Sequence, residues 1–247
     1  METHTLQEVD NYAITLAEPN PSDYVLPNIS VDCVIFGFDD FKLNILLIQH
    51  GRGPMANRWA LPGDYLSKDL NLDEMPVEVL RRLTGLKNVY VKQLGTFGQI
   101  DRVTYRRVIT VAYFALISPQ KYHLKTGEGA VDAKWFAIDS IPDLIFDHNE
   151  IISKSLEQIR QDIKIHPYGF ELLPKKFTLT NLQRLYEEIL GVKVDTRNFR
   201  RKILATGILK NLNEVDSSVP YRAPALFTFN KKKYDEFIDK GFYIELI

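Results

Sequence analysis

"WALPGDYLSKDLNLDEMPVEVLRRLTGL", residues 59–86, runs from a proline–glycine turn into a segment with the outline of a helix. Val79, Leu80, Leu83 and Leu86 fall at helical spacing, and Gly85 follows the last turn, where a left-handed residue ends a helix without steric cost. The start is expected near Asn71 or Asp73, with Glu74 available for a capping box. A helix placed after such a turn is a place where carboxylates could gather around a metal ion. Here Arg81 and Arg82 stand instead.

Outward from this stretch the pattern is mixed. Upstream, "ISVDCVIFGF" and "LNILLIQH" are β-branched apolar runs separated by "DDFK", which reads as a hairpin, and "GRGPMANRWALPGDYL" reads as a loop. Downstream, "VYVKQLGTFG", "RVITVAYFALI" and "AKWFAI" read as strands. "NEIISKSLEQIRQDI" reads as a helix with Ile151, Ile152, Leu156, Ile159 and Ile163 on one face. These elements predict a mixed α/β domain over residues 25–165, after a polar lead of residues 1–24, with too few helices for a doubly wound sheet. "KIHPYGFELLPKK" marks a boundary, and residues 166–247 form a second domain. In it two short helices, the first stopping at Gly191 and the second capped by Asp195 and stopping at Gly207, precede a hairpin whose loop carries Arg222.

The second of those helices is cationic on one side. At 100° per residue, Phe199 and Ile203 lie together, while Arg197, Asn198, Arg201, Lys202 and Ala205 form the opposite arc. Arginine pairs with guanine and asparagine with adenine in the major groove, and lysine neutralises phosphate. Helix, turn, helix and hairpin is the order of a winged helix-turn-helix. This assigns Thr196, Arg197, Asn198, Arg200, Arg201, Lys202 and Arg222 to DNA, with Thr180 and Thr196 at helix starts suited to phosphate. The plain alternative is a solvated basic face. Charge is divided along the chain: residues 175–247 hold 14 Lys and Arg against 9 Asp and Glu, leaving 17 against 23 for the rest, within a net charge of −1. A basic DNA-binding tail on an acidic sensing domain has this distribution, and so does a chance fluctuation of surface charge.

The bulk numbers bound the remaining classes. At 247 residues, 45% apolar and 26% charged, the chain is long enough for two small domains or one large one. Cys33 is the single cysteine, which excludes an internal disulfide and a cysteine-rich zinc site. Its apolar surroundings predict a buried thiol. The N-terminus lacks a basic start with an apolar core, and no apolar run approaches the roughly 18 residues needed to cross a bilayer, so a cytoplasmic protein is expected.

Residues 59–86 resemble the signature of the Nudix pyrophosphohydrolases, G-x5-E-x7-R-E-U-x-E-E-x-G-U. With its last two positions on Gly85 and Leu86, its first glycine falls on Asp64 and its first glutamate on Leu70. The Arg-Glu pair falls on Glu78 and Val79, the aliphatic residue on Leu80, and the paired glutamates on Arg82 and Leu83. Leu80, Gly85 and Leu86 are retained; each metal carboxylate of the motif is replaced. An arginine where magnesium needs a carboxylate reverses an interaction of about 4 kcal/mol for unit charges 4 Å apart at an effective dielectric of 20. Glu74 and Glu78 keep a divergent hydrolase in view.

A Nudix-like domain without its catalytic residues, followed by a winged helix, resembles the Nudix-related bacterial transcriptional regulators of the NrtR and AraR group. The likeness also includes "VDCVIFGF", "GTFGQIDR", "YRRVITVAYFALI", "IFDH", "FELLPKKFTLTNLQRLYEEILG" and "RNFRRKI". It implies an α+β chain, a Nudix-like α/β/α domain for effector sensing and dimerisation, and a homodimer on double-stranded operator DNA. It implies no catalytic residue, metal or cofactor. Effector candidates are Asp32, Gln49, Asp101, Arg102, Arg107, Tyr113 and His148, polar or aromatic groups that would line a Nudix cleft. Acids suit sugar hydroxyls and arginines suit a diphosphate. The likeness of "GQIDRVTY" to sugar-responsive members implies a repressor of a sugar-utilisation operon such as that for arabinose. ADP-ribose control of NAD metabolism is the alternative, and a module that docks an acidic protein partner is a third class.

Overall fold

The computed structural model describes residues 25–165, 169–217 and 223–239. The first domain is built on one seven-stranded mixed sheet: β1 (Val25–Asp39), β2 (Lys42–His50), β3 (Trp59–Ala60), β4 (Gly63–Ser67), β5 (Lys92–Phe97), β6 (Ile109–Ile117) and β7 (Ala130–Ala137). The long β1 is central. Its C-terminal end pairs antiparallel with β2, as Phe36 with Ile45, and its N-terminal half pairs with β4, as Asp32 with Gly63. Its other edge runs parallel to β6 from Ile29–Ile109 to Gly37–Ile117.

Alternation along β1 sends its residues to two faces. Val31, Cys33 and Ile35 meet Val79, Leu80 and Leu83 of α1 (Met75–Thr84). Val34, Phe36 and Phe38 face Ile151, Ile152 and Ile159 of α2 (His148–Ile165). The result is the expected α/β/α layering. Cys33 is fully buried, and that burial pushes its thiol well above the usual range.

Two expectations for this domain need correction. Helix α1 begins at Met75, with Pro76 in its first turn and no side-chain cap. Proline fits there because it lacks the N–H that a cap would satisfy; of the expected capping box only the back-reaching half forms, the Glu74 carboxylate accepting from the backbone N and Nδ2 of Asn71 at 2.9 and 3.0 Å. Within the expected loop 51–66, β3 and β4 add strands, because β2 and β1 supply them with partners distant in sequence. Gly85 does end α1, at φ 74°.

The second domain contains β8 (Phe177–Thr178), α3 (Leu179–Leu190), α4 (Thr196–Ala205), β9 (Leu209–Val215), β10 (Ala225–Phe229) and α5 (Lys231–Asp239), with the strands ordered β8-β10-β9. Thr178 and Asn181 form a capping box at the start of α3, and Asp195 accepts from the Asn198 N–H at 2.7 Å at the start of α4. This is a winged helix. The expected hairpin is present, and α5 follows it. One buried cluster joins the domains, running from Phe36 and Ile45 through Ile151 and Ile159 to Leu182, Tyr186 and Phe199.

Candidate functional site

Where β1 leaves β2 to pair with β4, a cavity of about 170 Å³ opens between the sheet, the 102–108 loop and the start of α2. Its polar wall is held by a buried network. The Arg102 guanidinium donates to both oxygens of Asp147, at 2.8 and 2.7 Å, and lies 3.6 Å from Asp32. Thr110 donates to Asp32 at 2.7 Å and accepts from Ser30 at 2.8 Å. His148 accepts from the Leu61 N–H through Nδ1 at 3.0 Å, which places its proton on Nε2, 3.7 Å from Asp32. Burial outweighs the attraction of Asp32 and Asp147 and holds His148 below the ordinary histidine pKa. His50 is lowered for the same first reason.

Gly63 is required by this geometry: a Cβ there would stand 2.1 Å from Oδ1 of Asp32. Tyr65, Tyr105 and Phe146 supply the apolar wall, with Arg52 at the rim. Phe146 adopts φ 53°, a region that a bulky side chain occupies only when its surroundings hold it. Its ring meets Tyr105 and His148 edge-on at 6.0 and 5.9 Å. A shallower depression of about 470 Å³ adjoins, sharing Met55, Arg102, Ile145 and Phe146.

Among the effector candidates named from sequence, Asp32, Arg102 and His148 line the cavity, and Asp101 lies in the adjoining depression. Three lie elsewhere. Gln49 donates to the Asn57 carbonyl at 2.9 Å, and Arg107 donates to that of Gln99 at 2.5 Å. Tyr113 sits on the α1 face of the sheet, where its hydroxyl donates to Asp73 at 2.7 Å. Strand parity explains Tyr113: Thr110, Ala112 and Phe114 share the cavity side, and a one-residue step reverses the side chain. Sequence reading missed His50, Arg52, Asp64, Tyr65, Tyr105 and Phe146. Their one common signal is a ring or charge beside a loop.

The acids around the degenerate Nudix box are already engaged. Glu78 pairs with Arg81 at 2.8 and 2.6 Å on the solvent side, Glu74 holds Asn71, Asp73 accepts from Tyr113, and Asp64 pairs with Arg82. Among the described residues no three His, Cys, Asp or Glu side chains are grouped to hold a metal ion. The residues present therefore do not fit the divalent ion that the Nudix resemblance implies.

In the second domain, Phe199 and Ile203 are buried while Thr196, Arg197, Arg201 and Ala205 of α4 are exposed and Asn198, Arg200 and Lys202 are half-buried. Arg201 donates to Asn198 Oδ1 at 2.7 Å, and Arg200 donates to Thr180 at 3.1 Å beside the start of α3. Thr196 accepts from Gln183 at 3.0 Å. Arg222 lies outside the described residues. The turn between α3 and α4 is fixed by the buried Glu187, which accepts from Gln183, Arg184, Lys193 and the Val194 N–H. Desolvation pushes the Glu187 carboxyl up, but the hydrogen bonds from Lys193, Gln183 and Val194 prevail and hold it at about 2.

Comparison with known proteins agrees with this layout. Residues 169–229 match the family described as the NrtR DNA-binding winged helix domain. The ADPR responsive transcriptional repressor NtrR of Acinetobacter baylyi is 32% identical over 225 residues, covering 89% of each chain. An ADP-ribose pyrophosphatase of Methanocaldococcus jannaschii is 30% identical over 129 residues, 52% of this chain and 73% of that protein. The crystal structure of Shewanella oneidensis NrtR complexed with a 27mer DNA superimposes with a TM-score of 0.72 at 27% identity, covering 84% of this chain and 95% of that one. The relative similar over both domains is named for ADP-ribose, so the effector reading moves from the sugar expected from sequence to its alternative. Among the described residues, no helix is long and apolar enough to cross a membrane.

Proposed function

Because the chain belongs to the NrtR family of Nudix-related transcriptional regulators, we propose that it is an ADP-ribose-responsive repressor, binding operator DNA as a homodimer and working without catalysis. The similarity to an ADPR responsive repressor across 89% of both chains carries this reading. The cavity's chemistry supports it: Asp32 and Asp64 suit ribose hydroxyls, Arg52 and Arg102 suit a diphosphate, and Tyr65, Tyr105 and Phe146 suit a planar base. The adjoining depression extends a cavity that is by itself below the usual size of about 300 to 1,000 Å³ for ligand pockets.

Arg197 and Arg201, exposed on α4, would read base edges. Arg200 with Thr180, together with Lys202, would hold phosphates, and Asn198 would orient Arg201. A two-fold dimer places two such helices in successive major grooves. The test is a gel-shift titration on the DNA upstream of the protein's own gene. ADP-ribose is expected to release the complex and arabinose to leave it intact; release by arabinose alone would restore the sugar reading. Light scattering is expected to give twice the chain mass, and a monomer at micromolar concentration would contradict the dimer.

The pyrophosphatase relative raises hydrolysis as a second reading. Its test is incubation with ADP-ribose and Mg²⁺, where no AMP is expected to form.

A further inference from the structure

Arg81 and Arg82 share the last turn of α1 but have different surroundings. Arg81 is spent on Glu78 at the surface. Arg82 turns to Asp64 on the cavity wall and donates from Nη1 to the Glu128 carbonyl at 3.1 Å. The segment that supplies this carbonyl is itself pinned to the helix end: Lys125 N–H donates to Thr84 O at 3.0 Å and Gly127 N–H to Leu83 O at 3.2 Å. It approaches so closely that a Cβ on Gly127 would lie 1.7 Å from the Arg82 carbonyl oxygen. The guanidinium is thus held from two sides before any ligand arrives.

We propose that Arg82, held behind the cavity wall between Asp64 and the Glu128 carbonyl, joins Arg52 and Arg102 as a further cation for the effector's diphosphate and takes it with no divalent metal ion. The proposal rests on the diphosphate effector read above. A metal ion in a phosphate site bridges protein oxygens on one side and phosphate oxygens on the other. A guanidinium has five N–H donors in a fixed plane, and two are used here, by Asp64 and Glu128, leaving three for a phosphate. Its position at the motif's first paired glutamate repels the ion that this glutamate would hold. The disagreement between the acids present and a metal site is then a change of mechanism, in which a covalently attached cation replaces a recruited one.

Three measurements on the full chain test this. Manganese titration followed by electron paramagnetic resonance is expected to show no bound ion in the wild type, and one tightly held ion per chain would overturn the proposal. Calorimetry with ADP-ribose is expected to give affinities in EDTA and in magnesium within about twofold of each other, while Arg82→Gln weakens binding in EDTA by about tenfold or more, and Arg82→Lys by less. Loss of wild-type binding in EDTA, or an Arg82→Gln variant that melts normally and binds normally, would overturn it. Inorganic pyrophosphate is the second probe. If ADP-ribose fails in both buffers while pyrophosphate binds in EDTA and depends on Arg82, the choice of effector falls and Arg82 keeps its role; if neither binds, the proposal falls too.

Discussion

His148 shows how one buried side chain ties the cleft to pH. Its Nδ1 is occupied as an acceptor by the Leu61 N–H, so a proton can be added there only by breaking that bond. Its folded pKa lies below the ordinary value, chiefly through burial. Below the unfolded value of about 6.5 the unfolded chain binds a proton that the folded chain does not. Stability should therefore fall as pH drops from 7 towards 5. Urea midpoints across that range should decline in the wild type and decline less in His148→Asn; parallel slopes would remove His148 from the account. Glu187 has the same sign over a lower pH range. Held at about 2, it contributes stability that is fully present above its ordinary value near 4.5 and is lost as pH falls through 2. Glu187→Gln should cost about 2 to 4 kcal/mol at pH 7, because Lys193, Arg184 and the Val194 N–H lose a buried anionic partner. Thermal melts would show it, and a loss below about 0.5 kcal/mol would mean that the turn is held by packing alone.

Helix α2 reaches from the cleft to the winged helix. Its first residue, His148, lines the cavity; twelve residues on, about 18 Å at 1.5 Å per residue, Arg160 donates to the Ile189 carbonyl at the end of α3 at 2.7 Å. A ligand that shifts the start of α2 thereby bears on the helix preceding the α3–α4 turn. Arg160→Ala should leave DNA affinity without effector within about threefold and reduce the effector's effect on it by about fivefold or more. Gel shifts with and without ADP-ribose measure this, and an undiminished response would exclude α2 as the conduit. The elements themselves differ in how legible they were. Helices α1, α3 and α4 carry their stops and caps locally, in Gly85, Gly191, Asp195 and their apolar stripes. Strands β3 and β4 span two and five residues and exist because β2 and β1 pair with them, which no local pattern encodes. The cavity was half legible for the same reason. Asp32, Arg102 and His148 were named, while Asp64 and Arg82, 18 positions apart, become a pair only once β4 and α1 have packed.

At the scale of the whole molecule, charge and core have different partitions. The buried cluster is continuous from the sheet through α2 to α3 and α4, whereas charge divides into an acidic part, 17 Lys and Arg against 23 Asp and Glu, and a basic part, 14 against 9. The shared core holds the cationic face of α4 in a fixed place relative to the first domain. Phosphate contacts of such a face displace condensed counterions, and each neutralised phosphate contributes about −0.9 to the slope of log K against log salt. With about four contacts per protomer of a dimer the slope should be near −7. Arg200 and Lys202 are assigned to phosphates, so Lys202→Ala should weaken binding alike on operator and unrelated duplexes and bring the slope up by about 2 for the dimer. Arg201→Ala, removing the proposed base-edge contact, should instead narrow the gap between operator and unrelated DNA by about 1 to 3 kcal/mol per half-site and leave the slope within about 1 of the wild type. Fluorescence anisotropy at several salt concentrations separates the two variants. A wild-type slope near zero would show that this face does not meet DNA. Interchanged behaviour of the variants would instead rotate α4 in the groove, putting Lys202 at the bases and Arg201 at the backbone.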